Sequence, residues 1–167
     1  MSILRRFHQL GNIYFIANVT YDRQPFLVQD AGLLLDSIES VRAKQSFDLH
    51  AWVILPDHFH FVIDPVDWDI SKAMQSIKMS FGARYRKQLG VDAGRMWQNR
   101  FWDHIIRDQD DYNRHVDYVH YNPVKHGLVR SPFDWKWTSL HDYYREGLYR
   151  RDWGSKEIDW SKEDFGE

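Results

Sequence analysis

Several features that would place this chain in a common protein class are missing. Its 167 residues include no cysteine, which excludes disulfide bonds, thiolate metal sites and cysteine nucleophiles and fits a reducing compartment. No segment approaches the run of roughly 18 apolar residues that a membrane span needs. Residues 1–6 also lack the apolar stretch of a secretion signal. We therefore expect a soluble, cytoplasmic protein without a membrane partner.

The chain also lacks an overall positive charge, because its net charge is −2 at pH 7. The charges are nevertheless unevenly distributed. Residues 69–107 contain eight lysines or arginines and three aspartates, and residues 152–167 contain six acidic residues and two lysines. We expect one domain over residues 1–151, followed by an acidic, loosely held tail over residues 152–167. A basic region and an acidic tail are compatible with a polyanionic ligand for which the tail competes; the alternative is an ordinary charged surface.

Aromatic residues lie within the basic region, at Trp97, Phe101 and Trp102. Rings beside arginines suit unpaired bases, which stack on such platforms with about 1–3 kcal/mol each. For Trp97 and Phe101 an equally good interpretation is that the rings hold a loop against the core. The predicted nucleic-acid contacts are Lys72, Lys78, Arg84, Arg86, Lys87, Arg95, Trp97, Arg100 and Phe101.

Residue patterns predict an α+β domain. β-branched and aromatic content predicts strands over residues 12–20, 47–55, 58–63 and 103–107. Helical spacing of apolar residues predicts helices over residues 26–44, 70–89 and 110–121. The last helix should end at Asn122-Pro123, since proline disfavours helical geometry just before it. The order predicts a ferredoxin-like antiparallel sheet with helices on one face. The other face would then be free for a ligand.

The most informative segment is His58-Phe59-His60, inside the apolar strand 58–63. Because side chains alternate along a strand, both imidazoles point to one face and can form half of a metal site. The alternative is a pair of half-buried histidines with backbone partners. In the late helix, Tyr118 and Asn122 are spaced i and i+4 and share a face. Asn122 can offer a carbonyl oxygen to an ion, and Tyr118 a phenol.

Other residues compete for these two roles. The weaker candidates for a third ligand are Asp111, Asn113 and His115, and the rival tyrosines are Tyr112 and Tyr121. Tyr121 adjoins Asn122 in sequence and therefore lies on a different helical face.

Three segments, taken in order, resemble the signatures of the REP-associated tyrosine transposases, a family of HUH single-strand DNA transposases with one catalytic tyrosine. They are residues 55–61 (LPDHFHF), 97–104 (WQNRFWDH) and 115–127 (HVDYVHYNPVKHG). The resemblance implies an HUH nuclease fold, Tyr118 as the nucleophile, and His58, His60 and Asn122 as ligands of a divalent ion. Family members often have Asn or Glu before the first histidine, whereas this chain has Asp57.

The resemblance also implies a reaction. The substrate would be single-stranded DNA with a hairpin, cut beside its stem through a 5′-phosphotyrosine, with Mg²⁺ or Mn²⁺ as the ion. The alternatives are a module that binds the hairpin without cutting it and a metal hydrolase that activates water with His58 and His60. We further hypothesise that the acidic tail lies near the surface formed by the basic residues and restrains activity. The sequence leaves open whether the protein is a monomer or a homodimer.

Overall fold

Four strands form one antiparallel sheet in the computed structural model, which describes residues 11–166. The strands are β1 (Tyr14–Val19), β2 (Asp48–Ile54), β3 (His58–Asp64) and β4 (Trp102–Ile105). They lie in the order β2-β3-β1-β4, and every neighbouring pair is antiparallel. Together with the helices between the strands, this order confirms the predicted α+β, ferredoxin-like fold.

One face of the sheet is covered by helices α1 (Ala31–Arg42) and α2 (Ile70–Leu89), as predicted. The bounds of α2 match the prediction. Asp69 caps its start by accepting a hydrogen bond from the Lys72 amide at 3.1 Å, and Gly90 ends it with φ +68°. Helix α1 begins five residues later than expected, because residues 26–30 form a loop and turn.

The opposite face is not free, so that expectation is wrong. Helix α3 (Gln109–Lys125) packs across it, and the core between them contains Phe15 of β1, Val62 of β3 and Val116 of α3. The apolar stripe of α3 must be buried, and α1 and α2 already occupy the first face. Helix α4 (Leu140–Arg145) lies beside β2, where Ser139 accepts a hydrogen bond from the Trp52 amide at 2.9 Å.

Helix α3 also continues through Pro123, where the sequence predicted its end. Proline removes one amide donor but fits the remaining turn, because the His126 amide donates to the Asn122 carbonyl at 3.0 Å and Gly127, with φ +68°, follows directly. Asn122 and Lys125 are therefore helical. They lie four and seven residues after Tyr118, on the same stripe of α3.

The acidic tail is held against the domain by three rings. Trp153 and Trp160 pack on the same core as Phe15, and Phe165 is buried within it. Arg114 of α3 adds an ion pair with Glu163 at 2.8 Å. The polar composition of residues 152–167 gave no sign of this packing. Among the helices of residues 11–166, none has the length and apolar character required to cross a membrane.

Candidate active site

The two histidines of β3 lie on the face of the sheet that α3 covers. His60 pairs with Ala17 and His58 with Val19 of β1, and both imidazoles are buried, with centroids 5.0 Å apart. Phe59 and Phe61 point the other way and stack on each other at 4.3 Å. The alternation predicted from the sequence therefore places two imidazoles side by side on a rigid strand.

Asp57 orients the first imidazole. The Nδ1–H of His58 donates to Asp57 Oδ1 at 2.6 Å, which leaves Nε2 as the nitrogen that can bind an ion. This hydrogen bond, opposed by burial and aided by Arg23 at 3.3 Å, holds the pKa of Asp57 below its ordinary value. The acidic residue before His58 therefore orients the imidazole that the sequence predicts as a metal ligand, a role that its position in the sequence did not reveal.

The stripe of α3 faces the histidine pair along two turns. The ring of Tyr118 lies edge-on to His60 at 5.6 Å, and the ring of His126 lies edge-on to His58 at 5.0 Å. Asn122 is one turn from each of them and is fully buried, so its amide lies on the stripe that faces both histidines. The structure thus brings Tyr118 to His60 and His126 to His58, and Asn122 lies between Tyr118 and His126 along the helix.

The phenol of Tyr118 is enclosed. Tyr118 as a whole residue is 1% exposed, and Phe165 of the tail stacks on its ring with centroids 3.6 Å apart and planes 5° apart. Trp160 contacts it edge-on at 5.2 Å. Lys125 donates a hydrogen bond from Nζ to the phenol oxygen at 2.8 Å. These three neighbours were not predicted. The i+7 spacing of Lys125 would have identified it had the predicted helix not ended at residue 121.

The rival tyrosines have other surroundings. Tyr112 forms a hydrogen bond between its hydroxyl and His50 Nδ1 at 2.8 Å. Tyr121 packs against the tail rings of Trp153 and Trp160. Of the three tyrosines, Tyr118 is the one whose ring contacts an imidazole of the His58–His60 pair.

Two of the rival ligands belong to a separate cluster. Asp111, His115 and His104 offer ligand atoms within 4.8 Å of one another, a set compatible with a divalent metal. However, the carboxylate of Asp111 also contacts Arg107 Nε at 3.2 Å and Arg114 at 3.5 Å. Burial raises the pKa of Asp111, but hydrogen bonds from His104 and Arg107 outweigh it and hold that pKa well below the ordinary value. Two guanidinium groups already neutralise this carboxylate and oppose a further cation.

Five of the nine predicted nucleic-acid contacts line one open cleft of about 630 Å³ between α2 and the loop before β4: Lys78, Arg86, Trp97, Arg100 and Phe101. Lys72, Arg84, Lys87 and Arg95 lie outside its lining. Trp97 also packs on Phe59 and Phe81, at 5.7 and 5.6 Å, so it serves the core and borders the cleft. Burial lowers the pKa of Lys78, because its ammonium has lost part of its water.

Comparison with known proteins adds an independent observation. The family model described as "Transposase IS200 like" matches residues 9–121. The REP-associated tyrosine transposase of Escherichia coli K12 is 35% identical over 164 residues, which cover 96% of each chain. This chain is a REP-associated tyrosine transposase. The solved structure of a REP-associated tyrosine transposase bound to a REP hairpin is also similar, with a TM-score of 0.79, 35% identity and 96% of each chain covered.

Membership of this family confirms the resemblance seen in the sequence and makes the chain a tyrosine transposase. The family model ends one residue before Asn122. The curated relative and the solved structure each align with 96% of the transposase. The similarity to them therefore includes parts of the chain that the family model leaves out.

Proposed function

We propose that this transposase is a metal-dependent endonuclease and strand transferase that acts on single-stranded hairpin DNA of the REP type through a 5′-phosphotyrosine. The observation that carries the proposal is the position of the Tyr118 ring, 5.6 Å from His60 and one helical turn from Asn122. A hairpin substrate is supported by the similar solved protein, which is described as bound to a REP hairpin.

The residues at this site suit a divalent ion by their chemistry. His58 and His60 offer imidazole nitrogens, and Asn122 offers an amide oxygen, all from rigid elements. Imidazole favours Mn²⁺ over Mg²⁺, and because all three donors are neutral we expect weak binding before DNA contributes a phosphate oxygen. When bound, the ion supplies Lewis-acid stabilisation of the charge that develops at the scissile phosphate.

Tyr118 performs the bond exchange. Its phenol oxygen attacks the phosphorus in line, the bond from phosphorus to the 3′ oxygen breaks, and that oxygen leaves as a 3′ hydroxyl. The phosphotyrosine keeps the energy of the phosphodiester, so a 3′ hydroxyl of another strand can reverse the reaction and join to the phosphate. Phe15 and Val116 line the core beside Tyr118 and limit the access of water, which would otherwise compete as a nucleophile.

The cleft of Lys78, Arg86, Trp97, Arg100 and Phe101 is our candidate for contacts with the DNA backbone and with unpaired bases. It lies on the α2 side of the sheet, and Asp103 of β4 belongs to its lining. The neighbours of Asp103 in β4 point to the opposite side, where His104 stacks on His115 at 4.6 Å. Because β4 is an edge strand, a single-stranded arm of DNA that leaves the cleft reaches Tyr118 by crossing this one strand.

The tail, residues 152–167, restrains the reaction. Phe165 covers one face of the Tyr118 ring, and Trp160 covers its edge. Glu163 forms an ion pair with the guanidinium of Arg114, which a DNA phosphate would contact in its absence. The tail must therefore leave before a phosphodiester can approach the phenol oxygen.

The proposal is tested with hairpin DNA that carries a 5′ single-stranded arm, in Mn²⁺. We expect the wild type and Tyr121→Phe to give a protein–DNA adduct that resists SDS, and Tyr118→Phe and His60→Ala to give none. Cleavage by Tyr118→Phe without an adduct would instead establish a hydrolase. Tight binding without any cleavage by the wild type would establish a module that only binds DNA.

A further inference from the structure

The phenol oxygen of Tyr118 has a cationic neighbour that the reaction above does not use. Lys125 lies seven residues after Tyr118, on the same stripe of α3. Its Nζ donates a hydrogen bond to the phenol oxygen at 2.8 Å and lies 5.1 Å from the ring centroid. A helical side chain leans toward the N-terminus of its helix, which is the direction from Lys125 to Tyr118.

We propose that Lys125 is a second catalytic residue of this site, an inference that rests on Tyr118 being the nucleophile. The atom that Lys125 contacts is the atom that forms the new bond to phosphorus. A donor preorganised at an oxygen that carries negative charge along the reaction path stabilises the transition state, and a charged donor does so more strongly than a neutral one. The contact between Lys125 Nζ and the phenol oxygen is formed before DNA arrives, so once the tail has left, Lys125 itself need not move for the attack.

The chemistry balances without a further reactant. The ammonium already carries its proton and accepts none, so the phenol proton leaves to water. The new bond joins phosphorus to the phenol oxygen, the bond to the 3′ oxygen breaks, and that oxygen takes up a proton from water. In strand joining the same ammonium stabilises the phenol oxygen as it leaves phosphorus. Lys125 thus serves both directions of the exchange.

A structural role is the competing explanation. A lysine in the last turn of a helix is stabilised by the helix dipole whatever it contacts, and its stem can merely hold the Tyr118 ring in place. Lys125 also borders a shallow pocket with the tail carboxylates of Glu157 and Asp159, which are alternative partners for its charge. A structural lysine affects stability and DNA affinity, whereas a catalytic one affects the rate of bond exchange.

The test compares full-length Lys125→Met, Lys125→Arg and Lys125→Ala with the wild type, and with Lys44→Met as a control for loss of an exposed charge. The rate of adduct formation is measured in single turnover with saturating hairpin DNA and Mn²⁺. We expect Lys125→Met to be slower by on the order of 10²-fold, as for loss of one oxyanion donor. Lys125→Arg should recover part of the rate, and Lys44→Met should match the wild type.

Two further measurements exclude the structural explanation. Ethylammonium should accelerate Lys125→Ala in proportion to its concentration and leave the wild type unchanged. The DNA affinity of Lys125→Met should equal that of the wild type, and its melting temperature should fall by no more than the loss of one helix-dipole contact explains. A Lys125→Met rate equal to that of the wild type, or a loss explained by DNA affinity, would overturn the inference while the adduct at Tyr118 still stands. Absence of the adduct in the wild type would overturn the proposed function itself.

Discussion

Removal of the Phe165 ring should release Tyr118 from the tail. Phe165 is buried and stacks on the ring of Tyr118 at 3.6 Å. Substitution by alanine loses about 1.5–3 kcal/mol of apolar burial and about 0.5–1.5 kcal/mol of ring stacking. The docked tail of Phe165→Ala is therefore less stable by about 2–4 kcal/mol, which changes its docking equilibrium by roughly 30- to 1,000-fold.

The assay is the single-turnover rate of adduct formation with hairpin DNA and Mn²⁺. If undocking precedes attack, Phe165→Ala should be faster than the wild type, up to the point at which the tail is mostly undocked. A chain that ends at Arg151 should reach the same rate. Lys162→Ala, which changes an exposed tail residue, serves as the matched control and should leave the rate unchanged.

Glu163→Gln provides a graded comparison. The side chains of Arg114 and Glu163 are 44% and 33% exposed, and ion pairs of this kind contribute about 0–1 kcal/mol. The increase in the rate of adduct formation for Glu163→Gln should therefore be smaller than that for Phe165→Ala, at most about fivefold. Equal rates for the wild type, Phe165→Ala and the chain that ends at Arg151 would contradict this prediction, because the ring covering Tyr118 would then have no effect on attack.

Three further predictions follow from contacts of the described residues. Asp57→Ala should weaken Mn²⁺ binding to the hairpin complex by about 10–100-fold, and Asp57→Asn, which keeps an acceptor for His58, should weaken it less. Electron paramagnetic resonance of free Mn²⁺ measures the affinity, and an unchanged affinity of Asp57→Ala would contradict the prediction. Lys78→Ala should reduce the slope of log DNA affinity against log salt concentration by about one, whereas Lys87→Ala, outside the cleft, should leave that slope unchanged. Equal slopes for the two variants would contradict the assignment of the cleft as the DNA site. Burial lowers the pKa of His115 to about 4, below the roughly 6.5 of an unfolded chain. The unfolded state therefore binds the proton first, so stability is complete above about pH 6.5 and falls by about 3 kcal/mol as pH decreases to 4. Urea unfolding should show this loss and a smaller one in His115→Phe; equal losses would contradict the assignment.

Much of the fold was predictable because its signals are local. The alternation in residues 58–63 and the spacing of apolar residues in 70–89 each require one kind of element, and Asp69 and Gly90 mark the ends of α2. The end of α3, predicted at Pro123, was one exception. The effect of a proline on a helix depends on how many turns remain, and here the helix ends two residues after it, at Lys125. Periodicity alone does not reveal that distance.

The site was predictable where one element carries the residues and unpredictable where two meet. His58 with His60, and Tyr118 with Asn122, share faces by spacing within a strand and within a helix. The contact of Phe165 with Tyr118 joins residues 47 positions apart in the chain, and nothing in an acidic segment with few apolar residues indicates where its rings will dock. The hydrogen bond from Lys125 to Tyr118 was not predicted for a different reason. It requires α3 to continue past Pro123, where the sequence predicted the end of the helix.

The central claim is that Tyr118 becomes covalently joined to DNA beside the His58–His60 pair. The most direct measurement is mass spectrometry of the peptide that carries the DNA, after digestion of the SDS-resistant adduct formed in Mn²⁺. We expect a nucleotide 5′-phosphate on Tyr118 and no adduct after removal of the ion by a chelator. A nucleotide on Tyr112 or Tyr121, or cleaved DNA with no nucleotide attached to the protein, would contradict it.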